Sequence, residues 1–500
     1  MSPSQIKNQG RRHGSPPYSI TACYAHDAEL LGDRWHLPYL ARLTRGWQSC
    51  KTHHMKSFLR RLLFIFLGLV VLVAIFYAEE DWRGKRAWEN CKRELEAKGE
   101  TLDLNAYIPP PVPDGQNFFK APRMTEWFVK PPAGQATTNK LTQLLQNADT
   151  DSTITSKTAA KKYLAWSDQF APDFELIREA FKRPYARIDG DYSSGINIPK
   201  QNFLTVSVVA RTLAQRAKCD LLLGQTEQAL REVTLLHDMS RVLEVIPVTM
   251  PAAMINVDVI TGSYVDTIAD GMQLHAWQQP QFIVLQKQLA EVKLTPIVVE
   301  FLKEEPVATC RWCEMNQPSE FFGNMKILPF SCPRGWVYQN MVNVVLLFQK
   351  LLEGCDLAHD TVSPSKVDEA FRDIDKFVAH KSPYRILAVV AVPNYTRAFQ
   401  VFAHNQTMAN EAQIACALEC YHFAHGAYPE TLDALAPQFI GKIPHDIIGG
   451  QPLKYRHTND GNFLLYSIGW NETDDGGQEI SELNKYGKPV YTKGDWVWKN

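Results

Sequence analysis

The chain has 500 residues, 45% hydrophobic and 21% charged, a globular composition that excludes a disordered or fibrous protein. This length exceeds one ordinary core and predicts at least two domains. The 53 basic and 54 acidic side chains leave a net charge of -1, which predicts no nucleic-acid partner, and ten cysteines are too few for a disulfide-built scaffold.

The chain begins with a basic segment: residues 1–61 hold ten Lys or Arg against three Asp or Glu. Residues 1–54 contain Gly, Pro, Ser, His and Arg in no clear period. They predict either a disordered cytoplasmic tail or an extension upstream of a true start codon at Met55, and both interpretations stay open. Residues 55–61, MKSFLRR, predict a positively charged flank of the segment that follows.

Residues 62–78, LLFIFLGLVVLVAIFYA, are the one long apolar run. At about 1.5 Å per residue they span about 25 Å, near the short limit for crossing a bilayer. Basic residues precede the run and acidic residues follow it, so we expect a single-pass signal anchor with its N-terminus in the cytoplasm. The alternatives are a cleaved signal peptide, disfavoured by the bulky Phe76 before the expected cut, and a buried core helix.

Residues 79–138 predict a charged helix, Asp81 to Lys98, followed by a proline-rich linker that includes a loop at 131–138. Residues 139–404 then carry a largely helical pattern and predict an irregular α-helical domain. The helices Phe203–Leu223 and Glu227–Val242 predict an antiparallel hairpin, spaced as in a tetratricopeptide repeat, although we find no second copy. The other predicted helices are Pro172–Arg183, Pro251–Asp270, Pro280–Val292, Trp336–Glu353 and Lys366–His380.

Residues 405–500 predict a small α+β module. A helix from Gln406 to Ala424 has one apolar stripe and a stop at Gly426. Two strands, Leu453–His457 and Phe463–Ile468, flank a hairpin turn at 459–461. The predicted fold class is therefore mainly α, with one N-terminal transmembrane helix, a helical domain and this C-terminal module.

An ordered series of residues in the module matches a known pattern: Ala417, Leu418, Glu419, Tyr421, Gly426, Tyr428, Pro429, Leu432, Leu435, Pro444, Asp446, Tyr455, Tyr466, Ser467, Gly469, Asn471, Asp474, Asp475, Gly476 and Gly477. The series, about 75 of 500 residues, resembles the globular domain of the major pseudopilin of bacterial type II secretion. The remainder resembles uncharacterised, singly anchored bacterial envelope proteins. These resemblances imply an inner-membrane protein whose bulk is periplasmic.

Two departures from the pseudopilin pattern limit what the resemblance implies. No leader-peptidase site precedes Leu62, and more than 300 residues separate the apolar run from the module. We therefore expect neither processing by a prepilin peptidase nor polymerisation as a pilus subunit, and interpret the module as a borrowed one.

The resemblance also implies a calcium site, because such pseudopilins bind Ca²⁺ in the loop after the last sheet strand. The matching residues here are Asn471, Asp474 and Asp475, to which Asp495 could return from the tail. Hard oxygen ligands of this kind suit Ca²⁺. The alternative is that these side chains only cap the turn.

Other candidate sites are weaker. Cys310 and Cys313 have the CxxC spacing of a redox pair or half a zinc site, but without a second CxxC or paired His they fit two small apolar positions one helical turn apart better. Asp189 and Asp191 suit a turn better than an acid–base pair.

The sequence contains no Walker loop, GxSxG, HExxH or dinucleotide fingerprint.

Two function classes follow from these observations. The first is a non-enzymatic, membrane-anchored envelope protein that binds other proteins, as an interaction or assembly component. The second is an anchored enzyme, hydrolase-like, with its active site in the helical domain. A polar pocket with close titratable groups would favour the enzyme, and a shallow apolar groove would favour protein binding.

Overall fold

The computed structural model describes residues 38–131, 140–144, 154–193, 198–244, 249–316, 332–380, 382–392, 395–480, 482–484 and 489–499. It is mainly helical, with 65% helix and 7% strand, and has one long apolar helix near the N-terminus and small antiparallel sheets. This confirms the predicted mainly α class. Residues 1–37 of the predicted tail and 132–138 of the predicted loop lie outside the described residues.

Helices account for most of the described residues. The α-helices are α1 (Pro38–Ala97), α2 (Met124–Phe128), α3 (Lys157–Ser167), α4 (Ala171–Ala180), α5 (Phe203–Leu222), α6 (Thr226–Asp238), α7 (Ser240–Leu243), α8 (Met250–Met254), α9 (Gly262–Gln273), α10 (Gln279–Glu291), α11 (Leu294–Met315), α12 (Arg334–Leu352), α13 (Pro364–Ala379), α14 (Ile386–Ala391) and α15 (Thr396–His425). A π-helix, Ile255–Thr261, joins α8 to α9. Short 3₁₀ turns are Leu104–Tyr107, Asp114–Gln116, Phe118–Lys120, Lys140–Leu144, Asp168–Phe170 and Leu432–Leu435.

The long helix α1 contains the predicted anchor. Its segment from Met55 onward is long and apolar enough to cross a membrane, and the large apolar side chains of 62–73 are exposed. Residues 38–54, predicted as tail or extension, are helical in the structure, so the helix begins before the positively charged flank. It ends two residues before Gly99, whose positive φ of 79° suits a helix stop.

Residues 75–500 form one compact unit, and the C-terminal turns of α1 are fixed into it. The carboxylate of the buried Glu80 accepts hydrogen bonds from Trp336 Nε1 at 3.1 Å and from the Tyr384 hydroxyl at 3.0 Å. Gly84 and Gly335 lie so close that a Cβ on Gly84 would stand 2.3 Å from the Gly335 carbonyl oxygen. Larger side chains at this crossing would therefore separate α1 from α12.

The hairpin of α5 and α6 forms as predicted, with Gly224 at a φ of 75° in the short turn. A buried ion pair holds its two helices together, since Arg216 Nε lies 3.2 Å from Glu232 Oε1. Arg216 Nη1 also lies 3.0 Å from Asp168 Oδ1. The buried guanidinium thus keeps charged partners on both sides, without which its burial would be costly.

Helix α15 lies at the centre of the unit and carries an unusual number of buried polar residues. It packs against α10, and the Phe282 and Phe423 rings are 6.2 Å apart. The apolar cluster that includes α5, α6 and α10 continues through α15 to Leu465 of the C-terminal sheet. The sheet region is therefore packed into the same core as the helical body.

The C-terminal sheet contains β3 (Lys454–His457), β4 (Phe463–Ser467) and β5 (Trp496–Val497), antiparallel in that order. The register pairs Lys454 with Tyr466 and His457 with Phe463, as the predicted hairpin requires. Strand β5 was not predicted from the sequence. A second hairpin pairs β1 (Cys355–Asp356) with β2 (Thr361–Val362), and β2 lies against the module through a bridge between Val362 and Ile448.

A carboxyl pair, Glu411 of α15 and Asp446 of the loop before β3, generates a prediction about pH. Glu411 is fully buried, and this burial, with the charge of Asp446, raises its pKa well above the usual value. Burial likewise raises the pKa of Asp446 to about 6, although backbone N–H donors from Ile448 and Ile468 oppose the rise. Because both groups bind protons more tightly in the folded state, their contribution to stability is fully present at low pH and is lost as pH rises, through about 6 for Asp446 and over a range that extends well above the usual carboxyl pKa for Glu411.

We therefore expect the melting temperature of the wild type to fall between pH 5 and pH 8 relative to that of Glu411→Gln, which keeps the shape and removes the titration. Thermal unfolding of both proteins across this pH range measures the difference. Parallel curves for the two proteins would contradict the prediction.

Candidate functional site

A cavity of about 380 Å³ lies within the helical body, partly open to solvent. Four regions line it: the end of α6 with α7, the π-helix with the start of α9, the end of α10 with its linker, and the first turns of α11. The volume falls within the range of roughly 300–1,000 Å³ that is typical of small-ligand sites.

The π-helix forms one wall, and its sequence explains its geometry. Residues 255–261 read INVDVIT, in which five of seven side chains are β-branched and weaken ordinary helix packing. A π-turn leaves backbone carbonyls in need of partners, and Asn405 of α15 donates from Nδ2 to the Val257 carbonyl at 3.0 Å. Such turns are frequent at functional sites, because they redirect side chains that a regular helix would place elsewhere.

The linker between α10 and α11 forms the opposite wall and is held by the next residue of α15. Gln406 is fully buried, and its Oε1 accepts the Leu294 N–H at 2.7 Å. Its Nε2 donates to the Val292 carbonyl at 3.3 Å and to Asn410 Oδ1 at 3.0 Å. Two adjacent amides, those of Asn405 and Gln406, therefore fix two walls of one cavity.

Asn256 is the most informative side chain in the cavity. It lies on the π-helix, is only 1% exposed and lines the cavity. Within the described part of the chain, neither Nδ2 nor Oδ1 of this amide has a hydrogen-bond partner. Leaving a buried amide unpaired costs about 1–3 kcal/mol, so an unpaired amide in a native structure requires an explanation. A ligand that pairs with this amide is such an explanation.

Titratable groups surround this amide. Glu244, Glu291 and Glu300 line the cavity against a single lysine, Lys293. Partial desolvation and the charge of Glu244 raise the pKa of Glu300, although Lys303 opposes the rise. Glu244 is therefore near enough to Glu300 for its charge to act on that carboxyl group.

The aromatic part of the wall is ordered by its own contacts. The rings of His237 and Tyr264 are 5.5 Å apart, and His237 Nδ1 lies 3.6 Å from Asp238 Oδ1. The Tyr264 hydroxyl donates to Gln288 Oε1 at 3.1 Å. The aromatic side chains of the wall are thus held by their own contacts, whereas the amide of Asn256 is not.

The sequence did not predict this cavity. Its lining residues come from several elements, so no short spacing marks them. The local signal in the sequence that points to the cavity is Asn256, which lies within the β-branched run 255–261. A polar side chain at such a position has no evident structural role, which suggests a functional one. None of the candidate residues taken from the sequence lines the cavity.

The structure brings the four predicted calcium residues together at the loop after β4. Asp495 is buried, and its carboxylate accepts the Asp475 N–H at 3.2 Å and the Gly477 N–H at 2.6 Å. Asp474 Oδ1 accepts the Gly476 N–H at 3.0 Å, and Asn471 Nδ2 donates to Asp475 Oδ2 at 3.0 Å. The four side chains thus stabilise the loop through hydrogen bonds.

No group of three or more His, Cys, Asp or Glu in the described ranges has the arrangement to hold a metal ion. Calcium at Asn471, Asp474, Asp475 and Asp495 therefore stays a prediction that rests on the resemblance.

Cys310 and Cys313 lie one turn apart on α11, both free and buried. They pack with Cys91 and Cys332 in a small apolar cluster. Burial raises the pKa of the Cys313 thiol to about 12 and that of Cys310 well above its usual value, so both thiols are protonated at neutral pH.

Asp189 and Asp191 have structural partners. Asp189 forms an ion pair with Lys120, and Asp191 Oδ1 accepts the Ser193 N–H at 2.8 Å. These contacts are typical of surface loops and turns. They give neither carboxylate a catalytic neighbour.

Comparisons of this chain with protein-family models, with curated proteins and with solved structures gave no match. The pseudopilin resemblance and the site prediction derived from it therefore stay predictions.

The unpaired amide generates the first prediction for this site. Replacing Asn256 with Leu keeps a similar volume and removes two unpaired polar atoms, so we expect stability to rise by about 1 kcal/mol. Thermal or denaturant unfolding measures this change. Gln406→Leu is the matched control, because that amide is paired, and we expect it to lose about 2 kcal/mol. A loss of stability in Asn256→Leu like that in the control would contradict the account of Asn256.

The calcium prediction is tested separately. If the loop after β4 binds Ca²⁺, millimolar calcium raises the melting temperature by a few degrees over that in chelator, because a ligand that binds only the folded state stabilises it. Asp475→Asn should remove this increase, and Asp189→Asn should leave it unchanged. Equal melting temperatures of the wild type with calcium and with chelator would contradict calcium binding. The four side chains would then only cap backbone groups of the loop.

Proposed function

We propose that this protein is a single-pass membrane protein whose helical domain binds a small organic ligand in the cavity. The observation that carries the proposal is the buried, unpaired amide of Asn256 in the cavity wall. Binding sites retain such groups because a ligand completes their hydrogen bonds, whereas a purely structural site would gain stability by losing them.

We place the helical domain on the outer side of the inner membrane of a bacterium, with the N-terminus in the cytoplasm. The support is the charge pattern around the apolar run, with Arg60 and Arg61 before it and Glu79, Glu80 and Asp81 after it. A cavity on that side would meet ligands of the periplasm.

We propose further that the C-terminal region contributes protein contacts, as an interaction or assembly component. The support is the similarity of the ordered residue series to a pseudopilin globular domain. Helices α10 and α15 and strand β4 share one apolar core, which supports a coupling between the cavity and the C-terminal region. Ligand binding beside one part of α15 would change how the rest of this helix packs against the C-terminal sheet.

A hydrolase-like enzyme is the second candidate, and one observation favours it. The charge of Glu244 contributes to the raised pKa of Glu300, and a carboxyl group of raised pKa beside a second carboxylate is a common acid–base arrangement. Binding is the better supported function, because both glutamates are exposed and the buried group of the site, Asn256, cannot transfer a proton at neutral pH.

The proposed function predicts that the ligand co-purifies with the protein. Native mass spectrometry of full-length protein from solubilised native membranes should show a bound small molecule that is lost in Asn256→Leu. The control Asp189→Asn should retain it. Identical masses for wild type and Asn256→Leu, with no adduct in either, would contradict small-ligand binding in this cavity.

The topology is tested by reporter fusions at residue 500. Alkaline phosphatase, which is active only after export, should be active there, and a fluorescent protein that folds only in the cytoplasm should be dark. Inverting the flanking charges, with Arg60 and Arg61 changed to Glu, should weaken this pattern. A bright fluorescent fusion in the wild type would contradict the proposed orientation.

A further inference from the structure

The charges of the cavity indicate what kind of ligand it takes. Three glutamates, Glu244, Glu291 and Glu300, line it against one lysine, Lys293. Within the described part of the chain, no ion pair engages any of the three carboxylates. A cavity that carries an excess of one charge attracts ligands of the opposite charge, because its low-dielectric walls concentrate the field.

The three carboxylates come from separate elements. Glu244 follows α7, Glu291 ends α10, and Glu300 lies in the second turn of α11. They do not converge as the ligands of a metal ion do, since the described residues contain no such group. An inorganic cation needs convergent oxygens, whereas an extended organic cation can place separate ammonium groups near separate carboxylates.

Neutral groups of the cavity favour the same class of ligand. Oδ1 of Asn256 is an unpaired acceptor, and the hydroxyl oxygens of Ser240 and Thr261, which also line the cavity, can likewise accept hydrogen bonds from ammonium groups. The Tyr264 ring, which faces the same space, provides an apolar surface for a carbon chain. Such a mixture suits a molecule that alternates methylene groups with polar nitrogens.

We infer that the cavity binds a small organic cation of the polyamine class, with its ammonium groups near the glutamates and one of them donating a hydrogen bond to Oδ1 of Asn256. The inference rests on the proposed function and adds the chemical class of the ligand. Affinity should depend on salt, because the charges lie at a partly open cavity where ions screen them.

Isothermal titration with spermidine tests this inference on the full-length protein in detergent. Triethylene glycol, a neutral chain of comparable length, and glutarate, an anion, are titrated in parallel. We expect only spermidine to bind, with affinity falling about tenfold in Glu300→Gln or Glu244→Gln, as expected for loss of one charge-assisted contact. Glu369→Gln, at an exposed position outside the cavity, is the matched control and should bind as the wild type does.

The other outcomes overturn the inference in distinguishable ways. Binding of glutarate or triethylene glycol but not spermidine, lost in Asn256→Leu, would reject the cationic class and leave the proposed function standing. Spermidine binding that is equal in the wild type, Glu300→Gln and Asn256→Leu would place it on the acidic surface outside the cavity. No binding of any probe would reject the polyamine class, and a co-purified molecule lost in Asn256→Leu would then still support the proposed function.

Discussion

Two neighbouring amides of one buried helix hold the site together. Asn405 donates to a carbonyl of the π-helix, and Gln406 joins the backbone on both sides of the α10–α11 linker. Because successive helix residues point about 100° apart, one helix can fix two different walls. The cavity therefore exists where it does because α15 has polar side chains at positions that a simple apolar core helix would fill with leucine.

The cavity combines a buried unpaired amide with an excess of carboxylates. The buried polar groups Arg216, Asn405 and Gln406 have partners, whereas the cavity retains the unpaired amide of Asn256 and three glutamates that form no ion pair in the described ranges. Proteins commonly give up stability in this way at sites where a ligand restores what is missing. Buried atoms outside the cavity, such as the carboxyl oxygens of Glu411, are also unpaired, so the functional account rests on the unpaired amide of Asn256 lying in the wall of a cavity that has room for a ligand.

Much of the fold was predictable from the sequence, whereas the site was not. Helices with clear stripes and glycine stops, such as α5 and α6, lie within a few residues of their predicted bounds. Helix α11 was missed, because Pro296 and Pro306 interrupt its pattern although tertiary packing sustains the helix. The π-helix depends on Asn405, about 150 residues away in sequence, and local spacing cannot reveal such a partner.

A crystal structure of the protein purified from its native membrane tests the central claim most directly. The account predicts electron density for a molecule larger than water in the cavity, within hydrogen-bond distance of the side-chain amide of Asn256. A cavity that holds only ordered waters, or an Asn256 side chain turned to pair with the protein itself, would contradict the claim that this cavity is a ligand site.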